Sequence, residues 1–517
     1  MKRLAFAALA AGGVLLAVFS VTIAGGPRTA GYKVLGWNDL GMHCVDGNDY
    51  SVFSILPPYN NIHAQVIDPN GKLVKSASAL QLTYHAVADP EGLINRTSAG
   101  KTNFWQYVEP LFGVRLANDV GLAGQAMPGA GNTPQPMRFD SQKSEWVAEG
   151  VPVLPYPDNP PAPGAKHYYP LMRIAARDLQ GRVLATADVV LPVSDEMACS
   201  GCHSSATIDS RAMPSRLAYD PSPDRDYKLN ILQLHDDRHN TNLMARQPVL
   251  CASCHPSNAL GTAGTAKPLT QAIHARHAEA VETGQEATRA ACYRCHPGSE
   301  TKCLRGAMGN AGMQCQNCHG SMSEVGAAGR KGWLDEPSCE NCHTGTAVRH
   351  AGQIRFTDAF AADGRWRQPA DTRFAVNSGK LYRLSTGHGK LACEACHGST
   401  HAEYPSSHAN DNLLAVQFQG HAGTISECAS CHGSKVGNLL GGPHGMHPAN
   451  ASWVDKHGDL VEHQGNGACR DCHGGDLRGT VLSAALAARA FQHDKRTYQF
   501  AKGAVIGCWS CHNGPNP

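Results

Sequence analysis

Residues 393–397 have the sequence Cys-Glu-Ala-Cys-His, and this Cys-x-x-Cys-His unit occurs nine times between residues 199 and 512. The nine units contain 18 of the 20 cysteines of the 517-residue chain. In chain order, which numbers the units one to nine, their cysteines are Cys199 and Cys202, Cys251 and Cys254, Cys292 and Cys295, Cys315 and Cys318, Cys339 and Cys342, Cys393 and Cys396, Cys428 and Cys431, Cys469 and Cys472, and Cys508 and Cys511. Their histidines are His203, His255, His296, His319, His343, His397, His432, His473 and His512. Since the whole chain has only 27 histidines, a His directly after all nine cysteine pairs is a motif and not chance.

Three kinds of chemistry use paired cysteines. A disulfide framework gives no reason for a His after every pair. Tetrahedral zinc sites take their other ligands from a second, distant pair and do not need that His either. The unit fits c-type haem attachment, in which two thiols form thioether bonds to the porphyrin and the next His binds the iron.

This pattern resembles the multihaem c-type cytochromes over residues 199–512, about three fifths of the chain. The resemblance implies nine c-type haems and a fold with little regular secondary structure, in which short helices surround a haem stack. Successive units begin only 23 to 54 residues apart, and aromatic residues make up only 6% of the chain. We therefore expect the haems to pack against one another and to replace much of the usual side-chain core.

The sixth iron ligands are expected among the 18 histidines outside the units. Five of these lie 5 to 15 residues before a unit: His277, His388, His421, His463 and His493. Nine others lie between units: His235, His239, His274, His350, His401, His408, His444, His447 and His457. With so many candidates, most irons should be bound by two histidines and have low potentials. Residues 388–473 also form a weak repeat, which would place one haem's ligand in the next haem's segment. Methionine is the other candidate ligand, at Met308, Met313, Met322 and Met446, although it is more often a gap filler.

Residues 1–30 predict a signal peptide and a short spacer. Lys2 and Arg3 are followed by an uncharged run from Leu4 to Ala24 and then by small residues. We expect cleavage after Ala24, while an uncharged run of this length would also span a bilayer if it were retained. No later run is long enough to do so, which predicts an exported protein in the periplasm, the extracellular space or at the cell surface. The formal net charge of +2 gives no basic face for a nucleic acid.

Residues 31–192 contain no unit and predict a haem-free β-rich domain, with a sandwich as one arrangement, before a nonahaem domain at residues 193–517. Two pairs of strands are expected around tight turns: His63–Ile67 with Lys72–Lys75, and Met172–Ala176 with Val183–Leu191. Val151–Pro170 holds seven prolines and predicts a loop. Docking, capping of the haems or contact between subunits would suit this domain.

Two cysteines, Cys44 and Cys303, lie outside the units. In the stretch from Asp39 to Cys44, a thiol adjoins the imidazole of His43 and the thioether of Met42, a set that copper or haem iron can use. The favoured interpretation is a turn in which Cys44 is buried or forms a disulfide with Cys303.

The motif favours an electron-transfer protein that conducts through nine haems over an enzyme. Its architecture resembles outer-surface and filament-forming multihaem cytochromes, which implies redox proteins, an extracellular mineral or cell, or further copies in a conductive nanowire as partners. The alternative is an oxidoreductase similar to the multihaem nitrite reductases and hydroxylamine oxidoreductases, with one open haem for a nitrogen compound. The Cys-x-x-Cys-Lys unit of several such reductases does not occur, so no catalytic residue is assigned. A third hypothesis makes the β-rich domain an adhesion or docking module with the haems as its redox tail.

Overall fold

The computed structural model describes residues 31–281, 288–343, 357–369, 380–433, 436, 440–493 and 495–514. The predicted signal peptide and the candidate ligand His350 lie outside these residues. Within the described ranges, no helix is long and apolar enough to cross a membrane.

Most of the β structure lies before residue 195. The strands of the described residues are β1 (Lys33–Trp37), β2 (His43–Cys44), β3 (Phe53–Ser54), β4 (Ile62–Ile67), β5 (Gln81–Val87), β6 (Gln135–Pro136), β7 (Arg138–Asp140), β8 (Glu145–Ala148), β9 (Leu171–Arg177), β10 (Val183–Val190), β11 (Val193–Ser194), β12 (Val249–Leu250), β13 (Arg489–His493) and β14 (Arg496–Phe500).

Two four-stranded antiparallel sheets form the N-terminal part. The first has the strand order β1-β4-β8-β7 and the second β10-β9-β5-β6. In β5, Leu82, Tyr84 and Ala86 are buried and alternate with more exposed residues, as expected for a strand with one face on a core. Leu35 of the first sheet and Ile174 of the second belong to the same buried apolar cluster. The two sheets therefore share one core.

The structure confirms one predicted strand pair and corrects the other. Strands β9 and β10 form an antiparallel hairpin in which Leu171 pairs with Val190, and residues 151–170 carry neither helix nor strand, as expected. Strand β4 is also confirmed, but the predicted strand Lys72–Lys75 is wrong, because only one bridge joins Ile67 to Leu73. Strand β1 pairs with one edge of β4 over residues 63–67 and β8 pairs with the other over residues 62–64, so only residues 65–67 are left for a third partner.

The helices are mostly short. Those of the described residues are α1 (Phe104–Phe112), α2 (Ser200–His203), α3 (Pro223–His239), α4 (Leu269–Val281), α5 (Arg289–Cys292), α6 (Ala307–Asn310), α7 (Gln316–His319), α8 (Met322–Val325), α9 (Cys393–His397), α10 (Leu413–Gln419), α11 (Cys428–His432), α12 (Ala451–Gln464) and α13 (Arg470–His473).

Each unit lies on or beside a single helical turn. Helices α2, α7, α9, α11 and α13 each end on the histidine of a unit. In four of the five, the next residue is a glycine with φ between +58° and +87°, namely Gly320, Gly398, Gly433 and Gly474. Glycine adopts this left-handed backbone at little cost and ends the helix. Units two, five and nine begin with short 3₁₀ helices instead.

The core of the sheets continues beyond residue 192. Its apolar cluster includes Leu391 and Phe418 from the segment that carries units six and seven. Gln65 of β4 connects the two parts, because its side-chain N–H donates to the carbonyl oxygen of Lys390 at 3.2 Å and its amide oxygen accepts from the N–H of Ala392 at 2.9 Å. The segment around units six and seven is thus part of the core of the β structure.

A buried ion pair forms a second connection. Arg305 donates from Nε and Nη2 to the two carboxylate oxygens of Asp411 at 2.7 and 2.8 Å, and from Nη1 to the carbonyl oxygen of Gly41 at 2.6 Å. Their side chains are 1% and 3% exposed. Such a pair is tolerated in a core because each charge is neutralised and hydrogen-bonded.

The Glu196 carboxylate fixes the loop that follows unit three. It accepts hydrogen bonds from the backbone N–H groups of Gly298, Glu300 and Thr301 and from the hydroxyls of Ser299 and Thr301. Partial burial raises the pKa of Glu196, but these bonds outweigh burial and lower it to about 2.

The C-terminal part, residues 440–514, has almost no side-chain core. Helix α12 has no buried residue. Among the described residues of this part, Leu477 and Ala485 are the buried hydrophobic side chains. Side chains alone therefore provide little apolar burial to stabilise it.

Candidate functional site

Unit histidines lie opposite histidines from outside the units. Within the described residues, eight of the nine make such a pair. With the distances between ring centroids, the pairs are His203–His277 (6.3 Å), His255–His235 (6.4 Å), His296–His274 (6.0 Å), His319–His401 (6.0 Å), His397–His444 (5.9 Å), His432–His388 (6.0 Å), His473–His447 (6.2 Å) and His512–His457 (6.1 Å). Each of the nine units, together with its opposed histidine where one is described, is called a site and takes the unit's number. The fifth unit has His343, and the nearby candidate His350 is outside the described residues.

The spacing of these rings would accommodate a shared metal. Ring pairs without a metal reach the same distance, as Trp453 and His457 do at 6.1 Å, so it is the recurrence of the pair at eight units that indicates a metal. A metal ion bound between two imidazoles holds their centroids about 6 Å apart, because each metal–nitrogen bond is about 2 Å and the nitrogen lies about 1 Å from the ring centre. The eight observed distances of 5.9–6.4 Å fit this geometry.

Backbone carbonyls set the tautomer of many of these rings. Seven of them have Nδ1 within 2.7–3.2 Å of a backbone oxygen: His255, His274, His277, His447, His457, His473 and His512. A carbonyl oxygen only accepts, so Nδ1 carries the proton and Nε2 keeps its electron pair for a metal.

Burial favours the neutral form of these histidines. Burial, and then the opposed His277, lowers the pKa of His203 to about 4. Burial, followed by the opposed His444, lowers the pKa of His397 to about 4. The neutral imidazole is the form that ligates a metal.

The opposed histidines connect different units. On α4, His274 and His277 are three residues apart and face units three and one. His444 and His447 are also three apart and face units six and eight. His388 lies five residues before unit six but faces unit seven. One segment therefore carries the opposed histidines of two sites, which brings those sites together.

Thiols of successive units are also close together. A hydrogen bond with Cys292 of unit three lowers the pKa of Cys315 of unit four. Burial, and then Cys431 of unit seven, raises the pKa of Cys396 of unit six to about 12.

All eight opposed histidines belong to the 14 candidates from the sequence, and five other candidates have different neighbours. His239 lies 4.8 Å from the ring of His235, His408 stacks on Tyr169 at 3.6 Å, His421 Nε2 is 3.6 Å from Glu427, His463 is exposed on α12, and His493 Nδ1 is 3.8 Å from Asp455. No methionine is opposed to these eight unit histidines, so Met308, Met313, Met322 and Met446 are not ligand candidates there.

No disulfide joins any of the 20 cysteines, so of the two alternatives for Cys44 the disulfide with Cys303 is not formed. His43 and Cys44 form β2 rather than a turn, because β11 pairs with them in parallel. Cys44 is half-buried, and burial, followed by Cys303, raises its pKa to about 12. Within the described part of the chain, no group of three or more His, Cys, Asp or Glu side chains is arranged to hold a metal ion.

No protein-family model matches the chain, and no curated protein matches it. Its function is therefore inferred from its own residues.

Proposed function

We propose that the chain is an exported multihaem c-type cytochrome that carries electrons through nine haem sites in the periplasm or the extracellular space. The observation that supports this most strongly is the opposition of eight unit histidines to eight others at 5.9–6.4 Å. Redox proteins are the proposed partners, and an extracellular mineral, a cell or further copies of the chain are the proposed acceptors or neighbours.

The residues of a site suit a covalently held haem. The two thiols of a unit lie on one turn, beside a histidine whose ring faces a second imidazole. When bound, a c-type haem supplies a one-electron couple at its iron. The scarcity of buried side chains in residues 440–514 also supports the proposal, because two sites in this part would replace the missing apolar surface.

The paired rings favour a carrier over an enzyme. At the eight sites with two opposed imidazoles, both rings would bind the iron and leave no open position for a substrate. Electron transfer needs only that sites are close together, which the shared segments of α4 and residues 444–447 provide.

Intact-mass measurement of the denatured protein tests haem attachment. We expect a mass gain of nine haems per chain, since each of the nine units supplies two thiols. A gain below eight would remove the assignment for some units, and no gain would reject the proposal. Electron paramagnetic resonance of the native oxidised protein should then show only low-spin iron, whereas a high-spin iron that turns over nitrite or hydroxylamine would establish the enzyme instead.

A further inference from the structure

We infer that the sixth site is a three-way junction that adjoins the fifth, seventh and eighth sites, so that the array branches and does not follow the order of the units. The inference rests on the proposed function. A linear array in chain order would reach the eighth site from the sixth only through the seventh.

The contact with the eighth site is made by one short turn. His444 faces unit six and His447 faces unit eight, and three residues span at most about 11 Å. The actual span is shorter than this limit, because two hydrogen bonds close the turn. The N–H of Gly442 donates to the carbonyl oxygen of Met446 at 3.0 Å, and the N–H of Met446 donates to the carbonyl oxygen of Pro443 at 2.9 Å. His444 has a φ of +57°, a strained conformation for a residue with a Cβ. The backbone is thus turned sharply where both ligands leave it.

The contact with the fifth site passes through two adjacent side chains. The hydroxyl of Tyr382 donates to the carbonyl oxygen of Gly398, directly after the sixth unit, at 2.6 Å. Arg383 forms an ion pair of 2.6 Å with Glu336, three residues before the fifth unit, and both side chains are nearly buried. The two units are therefore neighbours.

The contact with the seventh site is made by thiols and by a ligand. Cys396 and Cys431 pack against the same apolar cluster. His388, which faces the seventh unit, is joined to the sixth unit by only four intervening residues. Three sites consequently meet at the sixth.

Iron positions in the holoprotein, from electron cryomicroscopy or anomalous diffraction, test the junction directly. We expect the iron between His397 and His444 to have three near neighbours, and to lie closer to the iron between His473 and His447 than the iron of the seventh site does. A seventh iron lying between the sixth and the eighth would overturn the inference. Intact mass separates the two failures, since absence of haem rejects the proposed function and nine haems in chain order reject only the junction.

A second test uses variants in residues 440–514, away from the core of the sheets. His444→Met would mark the sixth site, because a methionine ligand changes the spectrum and raises the potential of a haem. In that background, removal of the eighth attachment by Cys469→Ala with Cys472→Ala should raise the potential of the marked site further, since a reduced neighbour no longer repels the incoming electron.

The matched control removes the ninth attachment by Cys508→Ala with Cys511→Ala, and intact mass verifies the loss of one haem in each case. The junction predicts a clearly larger shift for the eighth than for the ninth. Equal shifts would contradict it.

Discussion

Helix α12 carries two histidines that differ in their surroundings and so give a matched pair of substitutions. The ring of His457 faces His512 at a centroid distance of 6.1 Å. His463, six residues further on, is exposed and its Nδ1 bonds the carbonyl oxygen of Asp459 at 2.6 Å. Although His463 lies only six residues before unit eight, we predict that His457→Ala opens an iron and that His463→Ala does not.

The expected size of the effect follows from the number of sites. If the ninth site holds a haem as proposed, removal of the His457 ring would take away one of its two histidine ligands, and one iron in nine should change from low-spin to high-spin as water replaces the imidazole. Helix α12 has no buried residue and the His457 ring makes a hydrogen bond to the Val454 carbonyl oxygen, so the loss in folding free energy outside the site should be about 1 kcal/mol or less.

Electron paramagnetic resonance of both oxidised variants and carbon monoxide titration of the reduced proteins measure the outcome. In His457→Ala, one ninth of the iron should become high-spin and one equivalent of carbon monoxide should bind, with all nine haems still attached. In His463→Ala, the spectrum and the ligand binding should match the wild type. An open site in His463→Ala, or none in His457→Ala, would refute the pairing of ligands with units.

Three further substitutions test contacts between segments that are far apart in the chain. Glu196→Gln should lower the free energy of unfolding by about 1–2 kcal/mol, which is about half of what the full pKa shift implies because the carboxylate is partly exposed. Since the pKa of Glu196 is depressed in the folded state, this stabilisation is present above pH 4.5 and is lost as the pH falls towards 2. Denaturant titrations of the variant and the wild type should therefore converge in acid. Gly71→Ala places a Cβ 2.7 Å from His432 Nδ1 at a φ of +75°. The substitution should lower the free energy of unfolding by about 1 kcal/mol or more and alter the optical spectrum of the seventh site. An unchanged spectrum would contradict this contact. Arg305→Leu leaves Asp411 buried and unpaired and should cost about 3–5 kcal/mol in thermal or denaturant unfolding, whereas Arg305→Leu combined with Asp411→Leu should recover part of the loss.

Local patterns were sufficient to predict strand β4, the β9–β10 hairpin and the loop at residues 151–170. Each depends on residues that are close in the sequence: a short apolar run, two strands around a tight turn, or a cluster of prolines. The strand predicted at residues 72–75 failed because its pairing depends on which edges of β4 are already taken, and that is decided by β1 and β8.

The partners of the unit histidines could not be predicted from spacing. His388 lies five residues before unit six but faces unit seven, and His463 lies six residues before unit eight but is exposed. The choice depends on how helices such as α4 and α12 pack, and this packing brings together histidines that are 20 to 82 positions apart in the chain. Sequence proximity therefore supplied the candidates, and the three-dimensional arrangement selects among them.

The continuation of the sheet core into the segment around units six and seven has a consequence for biogenesis. The hydrogen bonds of Gln65 span 325 and 327 residues of chain. A ribosome must therefore make more than three quarters of the polypeptide before the core that these sheets share with the later segment can be completed, and until then part of their apolar surface remains uncovered. During this interval the cysteines of the early units stay on an unfinished fold, accessible to whatever machinery acts on them. Delayed completion of this core thus gives the chain a built-in order of assembly, in which its first-made part is among the last to be completed.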